Sequence, residues 1–376
     1  MKKIITLSLL SAVALYATNG DNLIGFGAQS RAMGGVGIAT YFGAENTLSN
    51  PALISHVKGK EIDVGVTYFA PTIKTNGSKS AADQNFIPHI AYAQEFDAAY
   101  TFGLGIYGSS GMGVDFRDSG KPSLMSARTN LVIMKITPTI AYKKDNFSFG
   151  FAPILQYGSL KLSYNAGTPV DLGASNDFGV GIKSGVAYDI TPSLKMGATY
   201  QSAISMTYKD VLSVASSKFG LSIGDTLEQP AELGVGVSYD ISNFNISADY
   251  KKVKWGSAKG YKDFGWVDQD VYAIGAKYEK GGTWYAVGYN HAPNPITKDF
   301  GGPTKAVMNT LNYIFFPATQ EDHYTIGTGT KITEALSIDS ALVYGVKNTV
   351  NSVGVTGPIS VGHSETSLTV SMKYRF

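Results

Sequence analysis

The sequence predicts an all-β fold: a transmembrane antiparallel β-barrel of about fourteen strands with an N-terminal hatch, or plug, inside it. Three observations predict it. From about residue 60 to the end, segments of roughly ten residues alternate apolar and polar side chains. Short and long connections alternate between those segments. Only 16% of the residues are charged, against about 25% in soluble proteins, so much of the surface does not face water. Mean hydropathy is nonetheless near zero, too polar for a bundle of membrane helices.

The N-terminus reads as a signal peptide over residues 1–17. Lys2-Lys3 supply the charge and Ile4–Leu15 the apolar stretch, which is shorter than the ~20 residues a spanning helix needs. Cleavage after Ala17 or after Ala14 fits the small residues present. Loss of Lys2 and Lys3 from the 31 basic residues leaves 29, equal to the 29 acidic ones. A neutral mature chain argues against a nucleic-acid partner. Absence of Cys excludes disulfides and thiolate metal sites.

Residues 18–57 are Gly- and Ala-rich and lack period-two alternation, yet carry Leu23, Ile24, Phe26, Met33, Val36, Leu48, Leu53 and Ile54. That apolar content argues against a disordered tail and for a segment folded within the barrel.

Residues 58–376 read as the barrel. In the last strand Leu368, Val370, Met372, Tyr374 and Phe376 share one face, and Ser367, Thr369, Ser371, Lys373 and Arg375 the other. The same parity holds for Phe178, Val180, Ile182, Val186 and Tyr188, for Leu233, Val235, Val237 and Tyr239, and for Tyr272, Ile274, Ala276 and Tyr278. Tyr at strand ends (Tyr142, Tyr188, Tyr200, Tyr239, Tyr250, Tyr278, Tyr344, Tyr374) forms the aromatic girdles, and small residues such as Gly179, Gly181, Gly234, Gly236, Gly275, Gly327 and Gly329 recur on the polar face. Short turns fall at Lys143–Asn146, Asp189–Ser193, Asp240–Asn243, Glu279–Gly282 and Thr333–Glu334. Long loops are expected at Asn165–Ser175, Asp210–Thr226, Trp255–Asp268, His291–Gln320 and Lys347–His363. An even strand count places both chain ends on the periplasmic side, and closure leaves no free edge in lipid.

The run Gly25-Phe26-Gly27-Ala28-Gln29-Ser30-Arg31-Ala32-Met33-Gly34-Gly35-Val36-Gly37, followed by Asn50-Pro51-Ala52, resembles the N-terminal hatch of the FadL-type outer-membrane transporters of long-chain fatty acids and other hydrophobic compounds. Thr101–Tyr107, Thr137–Tyr142, Gln229–Gly236 and Phe316–Gly327 are similar to later elements of that family, in the same order. The resemblance implies passive import. Hydrophobic cargo is caught among extracellular loops, passes through an apolar pocket in the lumen, and leaves sideways through a kink in the third strand. It further implies a hatch turn at Asn50, Pro51 and Ala52, and a kink at Gly103, Gly105 and Gly108, where glycine tolerates a bulge.

Beside the resemblance, the loop Asp210–Thr226 carries Val211, Leu212, Val214, Phe219, Leu221 and Ile223 as candidates for cargo capture, with packing against a neighbouring loop as the alternative. Lys135, Lys183 and Lys277 have lumen parity and are candidates for holding a carboxylate headgroup, or for pairing with lumen acids. Gly103-Leu104-Gly105-Ile106-Tyr107-Gly108 matches a dinucleotide-binding pattern by letter, but lies within a strand with no helix after it. The five histidines lack metal spacing, with His291, His323 and His363 expected in loops or rims, and no local motif marks an enzyme. The expected protein needs no cofactor and no metal. Its partners are its hydrophobic small-molecule substrate, outer-membrane lipid and lipopolysaccharide, and it is a monomer of the Gram-negative cell outer membrane. A general porin for small polar solutes and a surface adhesin are the rival readings.

Overall fold

The computed structural model describes residues 19–297 and 300–376. The signal peptide read from the sequence lies outside them. Fourteen antiparallel strands follow one another round the barrel: β1 (Lys60–Thr75), β2 (Asn85–Glu95), β3 (Tyr100–Asp115), β4 (Arg128–Lys144), β5 (Phe147–Asn165), β6 (Pro169–Asp189), β7 (Leu194–Gln201), β8 (Glu232–Ile241), β9 (Phe244–Val253), β10 (Gln269–Lys280), β11 (Thr283–His291), β12 (Asp322–Lys331), β13 (Leu336–Gly354) and β14 (Gly357–Arg375). A two-residue strand, Ser78–Lys79, folds back on the end of β1. β14 pairs with β1 from Glu61↔Arg375 to Thr75↔Val361, so the sheet closes.

Alternation fixes which face meets lipid. Val64 and Val66, Leu233 and Val235, Ile274, Ile326, Leu368, Val370 and Met372 are exposed, while Asp63, Thr67, Ser367, Thr369 and Ser371 on the same strands are buried. The outward apolar band is bounded by paired rings: Tyr100–Tyr142 and Phe244–Tyr278 at the short-turn end, Tyr250–Tyr272 and Tyr289–Tyr324 at the other. Amphipathic rings suit both membrane–water boundaries.

Turns at the end carrying both chain termini are short, as at Asp145–Asn146, Ser242–Asn243 and Gly281–Gly282. Asp145 and Ser242 adopt left-handed backbone there, as tight hairpins require. At the opposite end, residues 202–231, 254–268 and 292–321 form long loops with helices α3 (Leu212–Ser217) and α4 (Gly302–Thr310). Two expected loops are not loops. Asn165–Ser175 and Lys347–His363 are continuations of strand, pairing from Asn165↔Pro169 and from Gly354↔Gly357. Beyond the lipid both faces of a hairpin meet polar surroundings, so polar residues there say nothing against pairing.

Residues 19–57 are almost wholly buried, and contain α1 (Ala28–Ala32), α2 (Asn46–Ser49) and a 3-10 turn, Pro51–His56. They sit on the inward face of nearly every strand, and wall glycines make room. A Cβ at Gly150 would lie 2.2 Å from Ala52 N, one at Gly197 2.1 Å from Ile38 O, and one at Gly288 2.2 Å from Gly34 N. Backbone therefore lies on backbone, with less than a methyl group to spare. Polar ties fix the register: Arg31 Nη2 donates to Ser367 Oγ (2.6 Å), Gly37 N and Ile38 N donate to Asp249 Oδ2 (2.7 and 2.9 Å), and Gln29 Nε2 donates to Asp339 Oδ2 (2.9 Å).

Candidate functional site: the lumen and a break in the wall

Asn50 and Pro51 stand at the junction of α2 and the 3-10 turn. Asn50 Oδ1 accepts from Ala52 N (3.0 Å), while its Nδ2 donates to Ile38 O (2.6 Å) and to Val186 O of β6 (3.1 Å). Pro51 begins the turn, where the N–H it lacks has no partner to lose. Ala52 is fully buried beside Leu53 and Ala187.

The third strand is irregular where glycine is concentrated. β2 and β3 pair from Glu95↔Thr101 only as far as His89↔Tyr107. β3 runs on to Asp115, and its register with β4 slips between Gly108 and Ser110, leaving Ser109 as an extra residue. Over Tyr107–Val114 every residue is buried, so the in-out alternation stops and the strand turns inward. β2 meanwhile continues along β1 back to Asn85, and Pro88, beside the break, has no N–H to leave unpaired. Ala81 N donates to Asp115 O (2.8 Å) and bounds the break at its loop end. Leu23, Phe69 and Ile87, with Phe26 and Val132 against them, line it with apolar side chains. Gly108 sits at the bulge. Gly103 and Gly105 lie before it, and their bare faces receive Thr47 of α2.

Above the lumen the long loops share one apolar cluster. Trp255, Tyr261 and Trp266 pack with ring centroids 4.6–5.0 Å apart, and Tyr164 meets Phe315 edge-on at 5.5 Å and stacks with Phe219 at 5.4 Å. Val211, Leu212 and Ile223 are buried in this cluster, whereas Val214, Phe219 and Leu221 are partly exposed. Phe219 also borders an outer groove of about 720 Å³ with Arg117, Lys121, Met125 and Val355. Part of the loop therefore packs, as the alternative reading has it, and part faces outward.

Of the three candidate lysines, the structure brings two together. Lys135 (β4) and Lys183 (β6) are 3% and 6% exposed. Both feel the carboxylate of Glu232 on β8, as does Lys251 on β9. Neither Lys135 nor Lys183 has a hydrogen bond or ion pair among the described residues. Register places them on one inward patch, through Lys135↔Gln156, Lys183↔Gln201 and Gln201↔Glu232. The Gln156 side-chain amide and Gln201 Nε2 are buried there without partners. Buried amides left unpaired are costly, which makes this patch the candidate place for a polar ligand group. Lys277 is elsewhere, near the short-turn end, paired with Glu279 at 3.3 Å.

The sequence reading missed two features. His323 and His363, expected in loops or rims, lie in β12 and β14, fully buried; His323 Nε2 is 2.8 Å from Glu365 Oε1. Their inward parity was the available signal. The second feature is Asn19–Leu23, the first described residues, which reach the lysine patch. Asp21 Oδ2 accepts from Gln229 Nε2 (2.9 Å) and from the Tyr261 hydroxyl, and Lys135 acts on the same carboxylate.

A closed barrel with a lipid-facing band, a filled lumen and one broken strand pair defines a membrane-spanning passage protein. Residues 11–376 match the family described as outer membrane protein transport protein (OMPP1/FadL/TodX). The chain belongs to this family, and its place is the outer membrane of Gram-negative bacteria. It is 21% identical over 375 residues to a 47 kDa outer membrane protein of Pasteurella multocida, covering 87% of both chains. It is 22% identical over 244 residues to a long-chain fatty acid transport protein of Salmonella typhi, a match taking in 54% of this chain and 56% of that protein. Among solved structures, the toluene transporter TodX of Pseudomonas putida superposes with a TM-score of 0.73 at 20% identity, over 94% of this chain and 99% of that one. A FadL homologue of Pseudomonas aeruginosa gives 0.72 at 15% identity, over 95% and 100%.

Proposed function

We propose that the chain imports hydrophobic molecules passively, with residues 18–57 as a hatch closing the lumen and the β2–β3 break as a lateral exit into the membrane. The observation that carries this reading is the loss of β2–β3 pairing beyond His89↔Tyr107 beside an apolar lining. Unpaired strand edges facing lipid are unfavourable. A wall that gives up pairing at one place, with its edge turned inward, suits an opening used by cargo. Each buried methylene costs about 0.8 kcal/mol to return to water, so a greasy molecule gains by leaving sideways rather than through the aqueous periplasm. Relatives bearing the names of fatty-acid and toluene transporters support the cargo class. Lys135 and Lys183, with Gln156 and Gln201, would hold the carboxylate of an amphiphile such as a long-chain fatty acid. Phe219 and its neighbours at the outer groove, with Arg117 and Lys121, would meet cargo first. The barrel acts as a monomer, no catalysis is involved, and lipid with lipopolysaccharide surrounds it.

The test is uptake of a labelled long-chain fatty acid by cells lacking their own transporter, with a small sugar as polar control. Saturable fatty-acid uptake without sugar entry, and sugar entry once residues 18–57 are deleted, is the expected result. Sugar passage through the intact chain would make it a general porin. A folded barrel moving neither fatty acid nor hydrocarbon would turn the reading to adhesion.

A further inference from the structure

The wall gives up pairing at a second place, beside β6. β7 follows β6 from Asp189↔Lys195 only as far as Lys183↔Gln201. One further bond, Ser202 N donating to Ile182 O (3.0 Å), continues that ladder. In the return direction Ile182 N donates to the Ser202 hydroxyl (3.0 Å) rather than to its carbonyl. Beyond Ile182 no strand among the described residues pairs with this edge of β6. Phe178 and Val180 stand there 64% and 77% exposed. An open strand edge on an apolar outer surface is unfavourable.

The chain that could cover this edge is folded behind it. Residues 203–208 and 225–230 are two arms of a hairpin, bridged at Ile204↔Gln229 and Thr207↔Thr226. These bridges keep the register of β7 with β8, in which Gln201 faces Glu232. The hairpin is therefore the outer end of β7 and β8, bent into the lumen as one piece. The bend falls at Ser202 and at Pro230, which has no N–H to give to a ladder. Ile204, Met206 and Tyr208 are fully buried in a trough of wall glycines. Cβ atoms at Gly181 and Gly179 would lie 2.6 and 2.7 Å from the Ile204 side chain, and one at Gly158 2.2 Å from the Tyr208 hydroxyl.

We propose that this hairpin is a flap with two seats: the inward one, and one in the wall, where it continues β7 and pairs with the bare edge of β6 through Val180↔Ile204 and Phe178↔Met206. The two seats follow from the fold alone, while their consequence for passage rests on the transport reading above.

Pattern, register and unmet bonds carry the inference. Met196 and Tyr200 face outward along β7, and Ile204, Met206 and Tyr208 hold the same parity, as a lipid-facing strand requires. Continued in register, Tyr208 would reach Asn176, beside the outer ring pair Tyr157–Phe178. In the inward seat its hydroxyl is buried without a partner, and Phe178 and Val180 lack a strand neighbour. The wall seat relieves both. Lipid is as apolar as the roof cluster, so burial of the three side chains favours neither seat, and the balance falls to polar contacts. Those holding the flap inward are few: Thr207 N donates to Asp177 Oδ2 (2.6 Å), Gln229 Nε2 to Asp21 Oδ2 (2.9 Å), and Glu228 N to Lys259 O (2.9 Å). With the flap in the wall, the trough that takes in Gly179 opposite Gln156 is left free for cargo.

The chain has no cysteine, so a pair can be introduced without competition. Ile204→Cys is combined either with Gly181→Cys, against which it lies in the inward seat, or with Val180→Cys, which points to the opposite face of β6 and meets position 204 only in the wall seat. Purified full-length barrel in neutral detergent is oxidised, its folding followed by the heat-induced gel-mobility shift. Both pairs are expected to cross-link in the folded barrel. Phe178→Cys with Met206→Cys repeats the wall-seat test at a second position. Tyr208→Phe, which removes the unmet hydroxyl, is expected to slow the 180–204 cross-link about tenfold and leave the 181–204 one unchanged. Cross-linking at 181–204 with none at 180–204 or 178–206 would overturn the flap. Laurate passage in reconstituted vesicles is expected to stop with the 181–204 pair oxidised and to return on reduction; unhindered passage would overturn its role as a gate. Unaltered protein that passes no laurate would overturn the transport reading, while the cross-links still decide the flap.

Discussion

On the proposed function, the side chains that would select cargo in the lumen are few, and their meaning lies in what they lack. Lys135 and Lys183 face inward without ion pairs among the described residues, on a patch whose amides also want partners. Lys135→Met and Lys183→Met should each weaken laurate binding roughly tenfold while leaving dodecanol binding within twofold, because one desolvated charge is lost and the apolar walls are kept. Titration of both ligands at two salt concentrations checks this; equal losses for both would make the lysines structural. Their inward parity was readable in the sequence, and so was their charge. The company they keep was not. Asp21 lies 114 residues before Lys135 and Glu232 lies 49 residues after Lys183, and no local pattern records that they meet. Lys277 shares the parity but lies at the other end of its strand's lumen face, which alternation alone does not distinguish.

Strands are legible because one face must be apolar wherever lipid touches it. Where that demand stops, so does the signal, and the outer ends of β5, β6, β13 and β14 read as loops although they are paired. The break after His89↔Tyr107 is half legible: the glycines of β3 permit it, but which neighbour parts from β3 depends on Leu23 and Asp21 replacing β2. Wall glycines were visible as small residues on the polar face. Their purpose follows from contacts, and it gives a prediction at this scale. Gly150→Leu must push on Ala52 N and Pro51 C, both 2.2 Å from the added Cβ and both backbone. The barrel should still form, since the strand gains a side chain on a face that pairs normally, while sugar entry rises as the N-terminal segment is unseated. Gly224→Leu, where a Cβ meets nothing within 4 Å, should leave entry unchanged. Gly150→Leu protein that excludes sugar as well as the unaltered chain would show that the segment has room to move.

Taken whole, the molecule is one ring closed on its contents, and Lys373 ties the seam to the filling. Lys373 of β14 is 3% exposed, lies 3.9 Å from Asp63 of β1, and donates to Phe42 O of the N-terminal segment. Glu45, Glu61 and Asp339 act on it as well. Asp63 Oδ1 accepts from His89 Nε2 at 2.9 Å, and His89 stacks on Tyr107, whose hydroxyl meets Thr47 at 2.7 Å. Burial holds the carboxyl of Glu45 well above the usual range, so its surroundings tolerate little further negative charge. Lys373→Met should leave the acids uncompensated and destabilise the folded barrel by about 3–5 kcal/mol, seen as a lower temperature for the heat-induced gel-mobility shift. An unchanged transition would show that the seam is held by its backbone ladder alone. Alternation foretold closure and the even strand count; it could not foretell that first strand, last strand and N-terminal segment share one buried charge cluster.

The fit at Gly150, Gly197 and Gly288 also bears on how such an object is made. Clearances smaller than a methyl group leave no path for threading residues 19–57 into a finished cylinder. The strands must instead be wrapped about them, with β1 and β14 zipped last. The chain order suits this, since the inner piece is synthesised before any staves and is joined directly to the first. The contents act as a mandrel, and the girth of the cylinder is gauged by what it was rolled around.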